Sequence, residues 1–173
     1  MTAGTLAAPS KSGNKNETIA LAGCAIVLAM TLAAFINGIF GHVQWPAKFH
    51  EPSVIVHLAV AVGALPLTVA QLAMRKGGAR HRTVGYVWCG LLFGGALVSF
   101  FIHELTGGFS PPHLFAIMTV IVVPWIIYAA RFRRLKTHRT LVLLMAYTQI
   151  LAGVLTFIPG RHSIGDLFWP IWS

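Results

Sequence analysis

The sequence contains few charged residues and very few acidic ones. Of its 173 residues, 10% are charged, four are Asp or Glu, and 56% are hydrophobic. Soluble domains carry about 25% charged residues, so this composition excludes an ordinary soluble protein and indicates the membrane class. A pump is also disfavoured, because pumps use rows of carboxylates within the membrane.

Cysteines and the common catalytic motifs are also scarce. The two cysteines, Cys24 and Cys89, lie inside apolar runs, which argues against a disulfide framework or a CxxC metal site and is typical of small buried residues. The chain has no Ser/His/Asp arrangement, no phosphate-binding glycine loop and no paired carboxylates inside an apolar run. The sequence therefore predicts no catalytic residue, and whether the chain is an enzyme stays open.

Five long apolar runs make up most of the chain. They cover residues 18–40, 53–74, 83–102, 112–130 and 140–158. Each is about 20 residues long, enough to cross a ~30 Å hydrocarbon core as a helix, whose backbone groups are paired within the segment. The first run is too long for the apolar part of a signal peptide, so we expect a retained helix. The predicted fold is an all-α integral membrane bundle of five transmembrane helices.

The positive charges predict the orientation of these helices. The net charge is +9, but most of the 13 Lys and Arg residues lie in three short segments, 11–15, 75–82 and 131–139. Charges spread over a surface would suggest nucleic acid; charges between apolar runs indicate topology instead, so we expect no nucleic-acid partner. Five spans place all three segments on one side, and the positive-inside rule makes that side, and the N-terminus, cytoplasmic.

The ends of the chain differ from its apolar middle. Residues 1–17 are polar and without periodicity, so we expect a disordered cytoplasmic tail. Residues 18–173 are then the transmembrane domain. Its C-terminal WPIWS, with Trp169 and Trp172, is expected to lie outside as an interfacial anchor, since Trp is enriched at membrane interfaces.

A short repeat relates the second and third spans to the fourth and fifth. The dipeptide His-Leu opens spans two and four, and the triplet His-Arg-Thr opens spans three and five. Each pair of spans is therefore one copy of a two-helix hairpin, and the copies are parallel, related by an axis along the membrane normal. That axis brings together two outer and two inner histidines. The outer pair is His57 with His113, and the inner pair is His81 with His138.

Facing imidazoles suit the axial ligation of a b-type haem. We expect one or two such haems, with Arg82 and Arg139 pairing with propionates through charge-assisted hydrogen bonds. Because His81 and His138 lie among arginines, a haem there would be shallow, so the outer pair is the favoured half of this hypothesis. Small residues on the same helices leave room for the macrocycle: Ala61, Ala64, Gly85, Gly90, Gly94, Gly95, Ala152 and Gly153.

Simpler explanations stay open beside the haem hypothesis. Basic residues often end membrane helices and small residues often line their interfaces, so neither feature requires a cofactor. Gln71, Tyr147 and Gln149 are candidates for a quinone head group or for ordinary helix-packing hydrogen bonds. The remaining polar groups on the outer side are candidate ligands of a zinc, copper or iron ion. They are His42, His50, His103, His162, Glu51 and Glu104.

Four segments of the chain resemble a bacterial family of multi-pass membrane proteins catalogued as domain of unknown function 2306. They are HLAVAVGALPLTVAQ, HRTVGYVW, FSPPHLFAIMTV, and HRTLVLLM followed by FIPGR, and together they cover residues 53–161. The resemblance implies a multi-pass protein of the bacterial inner membrane. It implies no particular activity.

The arrangement of the histidines resembles a second family, the cytochrome b561 type. That resemblance implies two haems with ligands paired second helix to fourth and third to fifth, and electron transfer through the membrane. The ligand spacings are shorter here, and a sixth helix and ascorbate-site residues are absent from the sequence.

The leading interpretation is a b-type cytochrome-like protein that passes electrons between redox partners, with a quinone or a redox protein as partner. The alternative is a non-redox accessory or assembly subunit, or a haem- or metal-handling protein. A homodimer or a larger membrane complex is compatible with both.

Overall fold

The computed structural model describes residues 11–40, 51–102 and 112–157, and these residues form five α-helices. The helices are α1 (Lys11–Phe40), α2 (Pro52–Ala73), α3 (Ala79–Ser99), α4 (Pro112–Arg131) and α5 (Leu135–Thr156). The described part of the chain contains no strand. The predicted all-α fold is confirmed, and each predicted apolar run corresponds to one helix.

The helices form a closed ring in chain order. Each helix packs against the next, and α5 closes the ring on α1. In such a ring α2 faces α4, and α3 faces α5, across the interior. Tyr147 of α5 donates a hydrogen bond to the Asn16 carbonyl of α1 (3.1 Å), and further along Gly153 lies beside Val27. Both contacts advance in the same direction, so α1 and α5 run parallel.

Short links join the two hairpins. Residues 74–78 connect α2 to α3 and include Gly77, whose φ of 85° is available to glycine at little cost. Residues 132–134 connect α4 to α5. Both links lie at the end of the bundle where α1 begins, so the three basic segments predicted to share one side do share one end.

The interior contains two apolar clusters. One joins α3, α4 and α5 through Trp88, Val123, Ile126 and Met145, each at most 2% exposed. The other joins α1 to α2 and α5, and contains Ala20, Cys24, Leu72 and Ala146. Both cysteines are buried, as the sequence predicted. Small residues dominate the second cluster, which lets α1 approach the ring closely.

Four helices, α1, α2, α4 and α5, are long and apolar enough to cross a membrane. Large apolar side chains on their outer faces are exposed, as with Ile39 (63%) and Ile121 (59%). Helix α3 is less apolar, because Arg80 and Arg82 lie in its first turn and glycines interrupt its apolar stretch. The composition is that of a multi-pass membrane protein.

The N-terminal boundary differs from the prediction. Helix α1 begins at Lys11 and not at residue 18, so residues 11–17 are helical where a disordered tail was expected. Two contacts to α5 account for this: the Asn16 carbonyl accepts from Tyr147, and Glu17 pairs with Arg139. Residues 1–10 and the WPIWS segment lie outside the described residues.

The link between α4 and α5 depends on Arg133, whose φ of 56° is left-handed. Its N–H donates to the Ala130 carbonyl (3.2 Å) and the next N–H, of Arg134, to the Ala129 carbonyl (2.8 Å). These are the two hydrogen bonds of a Schellman cap, in which glycine normally holds the left-handed position. Arginine is therefore strained at this point of the chain.

We expect Arg133→Gly to stabilise the protein by about 1 kcal/mol, because glycine relieves this strain. Thermal unfolding in detergent measures the change. Arg131→Gly, inside the last turn of α4, is the control and should destabilise by about 1 kcal/mol, since glycine is a poor helix former. A loss of stability with Arg133→Gly would show that the arginine side chain contributes more than the strain costs.

Candidate histidine site

Two of the four predicted ligands have rings that lie together. His81 is in the first turn of α3 and His138 in the first turn of α5, and these helices face each other across the ring. Their ring centroids are 6.4 Å apart, with ring planes at 82°. The inner pair of the sequence hypothesis is therefore formed, although the sequence had favoured the outer pair.

Hydrogen bonding determines which nitrogen of His138 is available. Its Nδ1 lies 3.1 Å from the Ile126 carbonyl of α4. A carbonyl only accepts, so Nδ1 carries a proton, and in the neutral ring it is the other nitrogen, Nε2, that has the free lone pair. A backbone carbonyl behind the distal nitrogen is the usual support of a metal-binding imidazole.

His81 has a buried nitrogen with unused capacity. Within the part of the chain that the structure describes, its Nδ1 is buried and has no hydrogen-bond partner. Leaving such an atom unpaired costs about 1–3 kcal/mol, so a partner there would be favourable. The backbone of the same residue is fixed, because its carbonyl accepts from Nε2 of Gln71 (3.0 Å).

Burial and nearby charges favour the neutral form of His81 by lowering its pKa. The residue precedes the apolar part of α3, and burial lowers its pKa below the usual 6.5. The positive charge of Lys76 and then that of His138 lower this pKa further. The Lys76 ammonium is held in place by the last turn of α2, where it donates to the carbonyls of Gln71 (2.8 Å) and Leu72 (2.6 Å). A neutral imidazole is the form that binds metals.

The outer histidines have different surroundings. His57 places Nδ1 3.0 Å from the Gly95 carbonyl of α3, which leaves its Nε2 without a proton, as in His138. His113 is 5% exposed, and the ring of Phe100 lies beside it, with centroids 6.2 Å apart. Both of these contacts are made to the C-terminal end of α3.

The two arginines predicted to pair with propionates differ in their surroundings. Arg139 forms an ion pair with Glu17 of α1, with 2.9 Å between Nε and Oε1. Arg82 is exposed. Glu17 is also near Lys76, and its charge raises the pKa of that lysine while burial lowers it more. The inner end is thus a set of cations arranged around one carboxylate.

The three candidate quinone residues have protein partners. Gln71 donates to His81, Tyr147 donates to Asn16, and Gln149 lies 2.6 Å from the Thr68 hydroxyl. These contacts are helix-packing hydrogen bonds, the simpler of the two readings of the sequence. Of the predicted outer ion ligands, His42, His50, His103, His162 and Glu104 lie outside the described residues. Glu51 is described, and the described residues contain no cluster of three or more side chains that could hold a metal ion.

Thr68 connects three helices near the middle of the bundle. Its hydroxyl accepts from the Trp88 indole N–H (2.7 Å) and contacts both the Ala64 carbonyl (2.9 Å) and the Gln149 amide. The hydroxyl has one proton, which it donates to Oε1 of Gln149 or to the Ala64 carbonyl, while it accepts from Trp88. Sequence reasoning missed this junction, since only tertiary packing brings the three side chains together.

The glycines of α3 differ in how closely α2 approaches them. A Cβ on Gly95 would meet Val60 at 3.0 Å and one on Gly85 would meet Nε2 of Gln71 at 3.2 Å, so both positions allow α2 and α3 to approach. Gly90 and Gly94 have nothing within 4 Å. Close helix contact thus explains Gly85 and Gly95, as the simpler reading of the sequence proposed.

Comparisons with known protein families, with characterised proteins and with solved structures gave no match.

We expect Thr68→Val to cost about 1–3 kcal/mol, because it leaves the buried Trp88 N–H and the Gln149 amide without their partner. Unfolding in detergent measures the cost. Thr148→Val is the matched control: its hydroxyl bonds the Leu144 carbonyl one turn back in the same helix, so the change should stay within about 0.5 kcal/mol. Equal effects of the two changes would contradict the junction's structural role.

We expect Lys76→Met to raise the pKa of His81 towards 6.5, because it removes the second cause of the depression. The folded protein binds this proton less readily than the unfolded chain, so the fold loses stability as pH falls below 6.5, and the variant loses less. NMR titration of ring-labelled histidine gives the pKa. Arg75→Met, exposed on the same link, is the control. An equal rise of the His81 pKa in that variant would mean that the effect comes from the net charge of the link and not from Lys76 in particular.

Proposed function

We propose that this chain is a membrane-embedded b-type cytochrome-like protein that passes electrons between redox partners, and that a b haem is held between His81 and His138. The observation that supports this most is the approach of the two rings at the inner end of the bundle, 6.4 Å between centroids. The five helices cross the bacterial inner membrane in this proposal, with the basic end in the cytoplasm.

The spacing of the rings fits a shared metal. A nitrogen ligand lies about 2 Å from its metal, so two imidazoles on opposite sides of one ion have ring centres about 6 Å apart. The fixed proton on Nδ1 of His138 leaves Nε2 available to the metal, and the buried Nδ1 of His81 is the orphaned atom that a bound group would explain. The residues present therefore fit an axial pair.

The haem would supply one-electron chemistry at this position, and the chain supplies the rest. Ile126 orients His138, Lys76 keeps His81 neutral, and the packed cluster around Trp88 and Met145 excludes water from the bundle side of the pair. Arg82 is exposed and is therefore available to a propionate; Arg139 would exchange Glu17 for one.

A second candidate function is metal or haem handling by a non-redox accessory subunit. It is favoured by the tight contact of Gln71 with Gly85, which fills the space beside His81. A single ion would need less space between the two rings than a macrocycle does. One site at one end also suits delivery of a cofactor better than conduction across a bilayer.

A dithionite-reduced minus oxidised spectrum of detergent-purified, haemin-reconstituted protein tests the proposal. We expect an α band at the b-type position that is lost in His81→Ala and in His138→Ala. The control is Tyr86→Phe, an exposed position on α3 that should keep the band. His57→Ala and His113→Ala show whether the outer level holds a second haem.

A reconstituted protein without an α band would overturn the haem proposal. Titration with Ni²⁺ or Cu²⁺ then addresses the second candidate, because imidazole binds both ions. Binding lost in His81→Ala and His138→Ala would establish metal handling, and the absence of both signals would exclude both functions for this pair.

A further inference from the structure

Gln71 is the polar side chain through which α2 contacts the residue that carries the candidate ligand of α3. It is 4% exposed and near the end of its helix, and its Nε2 donates to the backbone carbonyl of His81 (3.0 Å). A buried carboxamide needs such partners. This bond links the end of α2 to the first turn of α3.

Gly85 makes this contact geometrically feasible. It lies one turn after His81, and a Cβ there would come within 3.2 Å of Nε2 and 3.8 Å of Cδ of Gln71. The carboxamide therefore occupies the space that a side chain at position 85 would need. The absence of that side chain lets the amide reach the His81 carbonyl.

The backbone of Gln71 is also held. Its carbonyl accepts from the Lys76 ammonium (2.8 Å), the same group whose charge acts on His81. The end of α2, the link and the start of α3 thus form one hydrogen-bonded unit. On the other side of the pair, the Ile126 carbonyl fixes the ring of His138.

We propose that Gln71, which packs against Gly85, is a positioning residue that holds the first turn of α3 so that the His81 ring faces His138. This inference rests on the proposed function, because it assigns Gln71 to the support of the same axial pair. Support residues of this kind typically change metal affinity by about 10- to 100-fold.

Two measurements test the proposal. Haemin titration gives the affinity of the loaded site, and a nuclear Overhauser contact between the two imidazole rings in the haem-free protein reports their approach. Gln71→Met keeps the length of the side chain but removes the donor. We expect it to weaken haemin binding by about 10-fold or more and to abolish the ring contact.

Gly85→Ala tests the same contact from α3, since its methyl group would press on the carboxamide of Gln71, 3.2 Å from Nε2, and lengthen the bond to the His81 carbonyl. We expect a loss in the same direction and, in the double variant, no loss beyond that of Gln71→Met, because both changes act through one contact. Gly90→Ala is the matched control on the same helix: nothing lies within 4 Å of its Cβ, so affinity and ring contact should be unchanged.

Unchanged affinity and an unchanged ring contact in Gln71→Met would overturn the proposal, whatever happened to the melting temperature, and would leave Gln71 a packing residue only. Additive losses in the double variant would also count against it. If the wild type bound no haemin, the proposed function would fail by itself, while the ring contact in the haem-free protein would still decide the role of Gln71.

Discussion

Polar side chains inside this bundle need partners within the protein, because lipid and apolar packing offer none. Several hydroxyls bond a carbonyl of their own helix, whereas longer side chains reach a neighbouring helix. In the first hairpin, α2 donates to carbonyls of α3 at both ends, through His57 to Gly95 and through Gln71 to His81. In the second hairpin α5 donates to α4, through His138 to Ile126. These bonds fix how the helices of each hairpin lie against each other, and so they fix where the histidine rings point.

The same requirement ties the two hairpins together. Thr68 of α2 connects Trp88 of α3 to Gln149 of α5 at the middle of the ring. The side of the interior formed by α4 is apolar at this depth, where Val122 and Val123 pack in the cluster around Trp88. The interior is therefore a solid, hydrogen-bonded middle with histidines at both ends, so each end has to be considered as a site of its own.

Much of the fold could be predicted from the sequence, but less of the site. The apolar runs located five helices, and the basic segments located one end, because length and charge are properties of the chain alone. The start of α1 was misplaced, since Asn16 and Glu17 are helical through contacts with α5 that no local pattern reveals. The repeat predicted that His81 and His138 lie together, and their ring centroids are 6.4 Å apart. It did not reveal the contacts of Gln71 and Ile126 with these histidines. Gln71 bonds the main-chain carbonyl of His81, and Ile126 accepts from His138 through its own main-chain carbonyl, so neither contact depends on a recognisable side-chain motif.

The basic end was first a topology signal, yet one of its cations has a chemical consequence. Lys76 satisfies two carbonyls that the end of α2 leaves open, which any lysine near a helix C-terminus can do. Its position also places a fixed positive charge beside His81, which favours the neutral imidazole over the imidazolium. A charge of the kind that predicts helix orientation thus also adds to burial in favouring the neutral form of His81. In the proposed function, this would let His81 serve as a ligand among arginines, at the end that the sequence alone made look the less suitable of the two.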